Sequence, residues 1–88
     1  MHVDRHARGI LQRVLYLAKL RSAALERYDR GDSPDRIRAS VVAKDVATVM
    51  DVENSPVFRA DLTQALRAAG WRSVKVDNVR LWKGVRRR

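Results

Sequence analysis

Residues 55–85 read SPVFRADLTQALRAAGWRSVKVDNVRLWKGV. Ser55-Pro56 is a helix start: a serine oxygen can accept from a free N–H of the first turn, and proline suits the first helical position. Phe58, Leu62, Ala65, Leu66 and Ala69 then recur at i, i+4, i+7, i+8 and i+11, one face of a helix. Arg59, Thr63 and Arg67 form a second row at i, i+4 and i+8, with Gln64 beside it. Gly70 stands where a left-handed residue closes a helix. Beyond it, Val74 and Val76 alternate with Ser73 and Lys75, and Val79 and Leu81 with Arg80 and Trp82, the period of a strand. Asp77-Asn78 tolerate the positive φ of a two-residue turn. That turn pairs Val76 with Val79 and Val74 with Leu81. It predicts an aliphatic face against the core, with Ser73, Lys75, Arg80 and Trp82 on the other face. Trp71 reads as a core anchor beside the helix end, whereas Trp82 is left between core and an exposed stacking role.

A helix followed at once by a basic hairpin is the working end of a winged helix-turn-helix. The predicted fold class is therefore mainly α with a small β-hairpin, preceded by an extra long N-terminal helix. Working back from Ser55, Asp51–Asn54 is a polar loop, and 43–50 (AKDVATVM) a short helix with Val46, Ala47, Val49 and Met50 inward. Val42 or Ala43 would occupy its N-cap, and neither can cap with a side chain. The β-branched Val41-Val42 suggest a short strand over 40–42. Ser33-Pro34 repeats the helix-start signal for a turn or two of helix.

Residues 4–30 read as one long helix ended by Gly31. Ile10, Leu11, Val14, Leu15, Leu17, Ala18, Leu25 and Tyr28 recur at helical spacing and predict the inward face, with Gln12, Lys19 and Glu26 opposite. That face is wider than one small domain needs. It either packs across this chain or carries a homodimer or docking contact through Ile10, Val14, Leu17 and Leu25. The whole, residues 1–88, reads as a single domain: 4–30 helix, 33–85 winged helix, 86–88 basic tail.

Composition excludes several function classes. With no cysteine, disulfides and cysteine-bound zinc are out, which suits a cytoplasmic location. No apolar run is long enough for a membrane span, and the N-terminus lacks the apolar core of a signal peptide. His2 and His6 have the i, i+4 spacing of metal ligands but no third ligand nearby in sequence, so no metal is expected. There is no phosphate-binding glycine loop, and Ser33, Ser40 and Ser55 have roles as caps or linkers. The chain is read as a non-enzyme with no cofactor and no small-molecule substrate.

The net charge is +9, with a pI near 11.3. Residues 59–88 hold nine basic and two acidic side chains, while residues 33–58 hold three and four. An excess gathered on the C-terminal third points to a polyanion. A helix fits the major groove of B-DNA, where arginine can pair with guanine and glutamine with adenine. The expected partner is double-stranded DNA. The expected contacts are Arg59, Thr63, Gln64 and Arg67 on the helix, Arg72, Lys75, Arg80 and Lys83 around the hairpin, and Arg86, Arg87 and Arg88 in the tail. Two rival readings are a small protein-interaction module and an RNA-binding protein.

Residues 41–85 also resemble the C-terminal winged-helix module of phage and plasmid primase–helicases and of the virulence-associated protein E family. The likeness rests on the short-helix pattern at Ala43, Asp45, Val46 and Ala47, on Leu66, Gly70 and Trp71, and on the strand pair Leu81-Trp82. Where those modules have a serine or threonine cap, this chain has Val42. A long helix stands in place of their ATPase and primase domains. The resemblance implies a DNA-binding module of a mobile element, in replication, excision or transcription regulation, and carries over no polymerase or helicase activity.

Overall fold

In a computed structural model of the chain, which describes residues 5–31 and 34–88 with side chains from Gly9 onward, the order is α1 (Arg5–Arg27), β1 (Tyr28–Arg30), β2 (Arg36–Arg38), α2 (Ala39–Met50), α3 (Pro56–Ala68), β3 (Ser73–Val76), β4 (Val79–Lys83) and β5 (Val85–Arg87). This is a mixed α/β arrangement: three helices, a three-stranded antiparallel sheet in the order β2-β4-β3, and a two-stranded ribbon of β1 and β5. His2, the His6 side chain and the expected Ser33 cap lie outside the described residues. No helix among the described residues is long and apolar enough to cross a membrane.

Helix α3 forms as its sequence dictates. The Ser55 oxygen accepts from the Phe58 N–H at 3.1 Å, and Pro56 takes the first turn. Phe58, Leu62, Ala65 and Leu66 are buried. The end is a Schellman closure: Gly70 sits at φ 90, its N–H bonds to Arg67 O at 2.9 Å, and the Trp71 N–H reaches back to Leu66 O at 2.9 Å. Arg30 completes it, donating to the carbonyls of Ala69 and Gly70 at 2.8 and 2.7 Å.

The hairpin has the expected register, Val76 opposite Val79 and Val74 opposite Leu81, about Asp77 and Asn78 at φ 52 and 64. Its faces are reversed. Trp82 is 1% exposed, while Val76 and Val79 are 42% and 37% exposed. The cause is the third strand: β2 lies against β4 with Ile37 opposite Trp82, and Trp71 meets Trp82 edge-on with ring centroids 5.9 Å apart. A tryptophan brings more surface to a core than a valine, and the edge-to-face pair adds to it. Burying Trp82 and Ile37 outweighs burying the two valines at the tip. Trp82 is thus a core residue with no exposed stacking role.

The region before α3 differs from expectation. No helix begins at Pro34, and the strand expected at 40–42 is Arg36–Arg38 instead. Helix α2 begins at Ala39, so Val41 and Val42 are helical, and Val42 is buried with Ala43, Val46 and Ala47. Packing overrides the β preference of the two valines. Arg38 is the N-cap and makes no side-chain cap.

Helix α1 ends one turn earlier than Gly31; Leu17 and Tyr28 turn inward as expected, but the helix buries a different face from the Ile10, Leu11, Val14 and Leu15 stripe. Leu20, Ala23 and Ala24 are buried against the other helices, with Tyr16 and Leu17 half-buried, whereas Ile10, Leu11, Val14 and Leu15 are exposed. Tyr28 is already a strand residue, paired with Arg87. The run 86–88, expected as a free tail, belongs to this ribbon: Arg86 lies opposite Asp29, and the Arg88 N–H bonds to Arg27 O at 2.9 Å. The fully buried Tyr28 donates its hydroxyl to Asp45 Oδ2, and Arg87 donates to the same oxygen at 3.1 Å. Burial and the Asp45 carboxylate push the Tyr28 hydroxyl up to about 12. One cluster thereby ties the end of α1, the first half of α2 and the C-terminal strand together.

Candidate nucleic-acid interface

Reversal of the hairpin faces decides where its cations go. Lys75 and Arg80 are opposite each other in register and share the Trp82 side of the sheet. Beyond the last buried residue of that face they turn toward α3. There they meet Arg59 and Thr63 around a cleft of ≈ 270 Å³, floored by Leu62 and Trp82. The third wall is the start of α2, Ala39 and Ser40. Four of the sequence-predicted contacts, Arg59, Thr63, Lys75 and Arg80, are therefore gathered in one place.

The cleft is electrostatically one-sided. None of its lining residues is acidic, and no ion pair among the described residues involves Arg59, Lys75 or Arg80. Arg59 spends one N–H on the Asn54 carbonyl at 2.9 Å and keeps the rest. Thr63 donates its hydroxyl to Arg59 O at 2.9 Å, leaving only lone pairs outward. Ser40 is exposed, and its hydroxyl has no partner among the described residues. With no side-chain cap on α2, the free N–H groups of its first turn add positive potential at this wall. Three cations and a helix N-terminus without a counter-charge form a setting for an anion such as a phosphodiester.

The other expected contacts divide. Arg67 is exposed on the solvent side of α3, one turn past Thr63, and Arg72 and Lys83 are exposed at the base of the hairpin. Gln64 is drawn toward α1: Arg13 donates to Gln64 Oε1 at 2.9 Å and to Asp61 Oδ1 at 2.8 Å. The hydrogen bond to Asp61 raises the Arg13 pKa and keeps its charge on this flank. Arg86, Arg87 and Arg88 take no part in the cleft. Arg87 pairs with Asp45 at 3.1 Å, and Arg88 with Asp29 at 3.0 Å. These two are structural cations rather than free ones.

Sequence reading missed Ser40, Arg13 and Arg30, and also Arg36 and Arg38, which stand beside Lys83 and Leu81 on the outer face of the sheet. The alternation Arg-Ile-Arg is the one local signal for that strand. Of the expected docking residues, Ile10, Val14 and Leu25 are exposed, while Leu17 is half-buried toward α3. In comparisons with known proteins, no family model, curated protein or solved structure matches the chain.

Proposed function

We propose that this chain is a winged-helix protein that binds double-stranded DNA without catalysis. The observation that carries the reading is the cleft at the junction of α3, the β3–β4 hairpin and the start of α2, with Arg59, Lys75 and Arg80 directed at it and no acid among its lining residues. In this reading α3 lies in the major groove with Arg67 toward base edges, a backbone phosphate sits in the cleft, and the hairpin follows the flank. Two further points support it. Apart from the β1–β5 ribbon, the succession α1–β2–α2–α3–β3–β4 with strands ordered β2-β4-β3 matches the connectivity expected of a winged helix. The resemblance of residues 41–85 to modules of mobile elements points to the same class of ligand.

The test is fluorescence anisotropy with a labelled DNA duplex and an RNA duplex of equal sequence, at about 50 and 200 mM salt. With roughly six phosphates neutralised, log affinity for DNA falls with log salt at a slope near −5, a loss of about a thousandfold between the two conditions. The RNA duplex binds more weakly, because its deep, narrow major groove does not admit a helix. A flat salt dependence, or RNA bound as tightly as DNA, overturns the proposal.

A further inference from the structure

Helix α1 has a second apolar face. Ile10, Leu11, Val14 and Leu15 are 55, 59, 57 and 54% exposed, and Leu25 follows at 38%. With Ala18 they form one stripe, at i, i+1, i+4, i+5, i+8 and i+15. It lies across the helix from Leu20, Ala23 and Ala24, the buried face. One edge of the stripe opens into a groove of ≈ 340 Å³ between α1 and α3, whose walls include Ala18, Ala65, Ala68 and Ala69. The surface therefore holds a ridge of large aliphatics on the first half of α1 and, beside the middle of the helix, a trough walled by Val14, Leu17, Ala18 and Arg21 on one side and three alanines at the end of α3 on the other. Small side chains let another helix approach closely, and large ones fill such a trough.

We propose that a second copy of this chain covers this face, with the two α1 helices antiparallel about a two-fold axis near Ala18. This operation lays the ridge of each copy along residues 21–26 of the other and brings the two grooves together at the axis. With Ala18 on the axis, Leu11 comes opposite Leu25 of the second copy, and Val14 opposite Ser22. Charge selects the same direction. Glu26 is the one acidic residue in α1, near its C-terminal end, in a helix otherwise rich in arginine. Antiparallel pairing keeps the two Glu26 carboxylates apart, whereas parallel pairing sets Glu26 against Glu26. The size of the contact sets its strength. Residues 10–26 span about 24 Å of helix, about 10 Å wide, so roughly 500 Å² is covered over the two copies, below the range of standard specific interfaces. Arg21 within the stripe and the net charge of +9 on each copy also oppose association. The dimer is therefore expected to be weak. The inference does not depend on DNA binding and is measured without nucleic acid.

Sedimentation equilibrium of the full chain from about 5 µM to about 1 mM tests it, with a monomer–dimer transition expected in that range. The double substitution Leu11→Glu, Leu15→Glu is expected to abolish the dimer and leave the circular dichroism unchanged, since both side chains are more than half exposed. The chain has no cysteine, so geometry can be read by oxidation. Ala18→Cys cross-links to itself, as does a mixture of the Leu11→Cys and Leu25→Cys chains, whereas Leu25→Cys alone does not. A wild-type chain that stays monomeric at about 1 mM overturns the proposal. So does a dimer that survives the two glutamates, or self-linking of Leu25→Cys.

Discussion

If the cleft holds a DNA phosphate, removing the two hairpin cations changes the salt dependence of binding while leaving the fold intact. Lys75 and Arg80 are opposite each other on one face of the β3–β4 pair, and neither has a carboxylate partner among the described residues. The double substitution Lys75→Gln, Arg80→Gln therefore breaks no ion pair. It also relieves two like charges held directly across a ladder, an arrangement that costs up to about 1 kcal/mol. Stability is expected to be unchanged or slightly higher. Each phosphate neutralised contributes about 0.9 to the slope of log affinity against log salt, so loss of the one held in the cleft flattens that slope by about 0.9. Over a fourfold rise in salt the wild type then loses about three to four times more affinity than the variant. The assay is anisotropy on one duplex at four or five salt concentrations, beside thermal unfolding of both proteins. Arg86→Gln serves as the comparison, because Arg86 lies opposite Asp29 on the β1–β5 ribbon, and its slope is expected to match the wild type. An unchanged slope in the hairpin variant, or a loss of binding accompanied by a fall in melting temperature, refutes the assignment of the cleft.

Three further outcomes follow from the fold. Trp82→Ala, at a residue 1% exposed, is expected to cost about 3–5 kcal/mol in urea unfolding, against under about 1 kcal/mol for Val79→Ala at a residue 37% exposed; comparable costs would restore the aliphatic hairpin face. Tyr28→Phe removes the hydrogen bond to Asp45 and is expected to cost about 1–2 kcal/mol near neutral pH. The folded Tyr28 hydroxyl titrates at about 12, above its ordinary value of 10.0, so its contribution is complete below pH 10 and is lost as pH rises toward 12. The gap between wild type and Tyr28→Phe should therefore close over that window, and a gap that stays constant from about pH 9 to about pH 11.5 contradicts the role given to burial and Asp45. Gly70→Ala puts a side chain at φ 90, with its Cβ 3.1 Å from the Arg30 guanidinium nitrogens, and should cost about 1–2 kcal/mol by the same measurement.

Legibility in the sequence tracks how local each signal is. Helix α3 and the hairpin register were readable because their determinants lie within a few residues: the Ser55 cap, the Gly70 closure and the Asp77-Asn78 turn. The buried face of the hairpin was not, because it is decided by β2, some forty residues away in sequence, and by how Trp71 meets Trp82. Strand β2 itself carries one apolar residue between two arginines, too little alternation to stand out. Strand β5 reads as a charged tail because its partner is the end of a helix, and nothing near either segment announces the pairing. For the cleft, the residue types Arg59, Thr63, Lys75 and Arg80 were legible, but their convergence was not. It follows from the reversed face, which turns the hairpin cations toward α3 and brings Ser40 and the start of α2 into the same wall.

Helix α1 shows why apolar spacing alone misleads. Counting large aliphatics selects the stripe of Ile10, Leu11, Val14 and Leu15, yet α2 and α3 select Leu20, Ala23 and Ala24. Packing one helix across two others rewards small side chains that let the axes approach, and Tyr28, at the end of the buried side, adds a hydroxyl that reaches Asp45. The larger residues are thereby left for solvent. Full burial of one leucine, isoleucine or valine side chain is worth about 1.5–3 kcal/mol. Four such residues, each more than half exposed on one face, hold back several kcal/mol that the single chain does not use. A helix apolar on two sides offers two faces for packing, and this chain covers one of them. Two glutamates on the outer side should therefore change association and leave folding untouched, whereas one glutamate at Ala24, on the inner side, should unfold the chain.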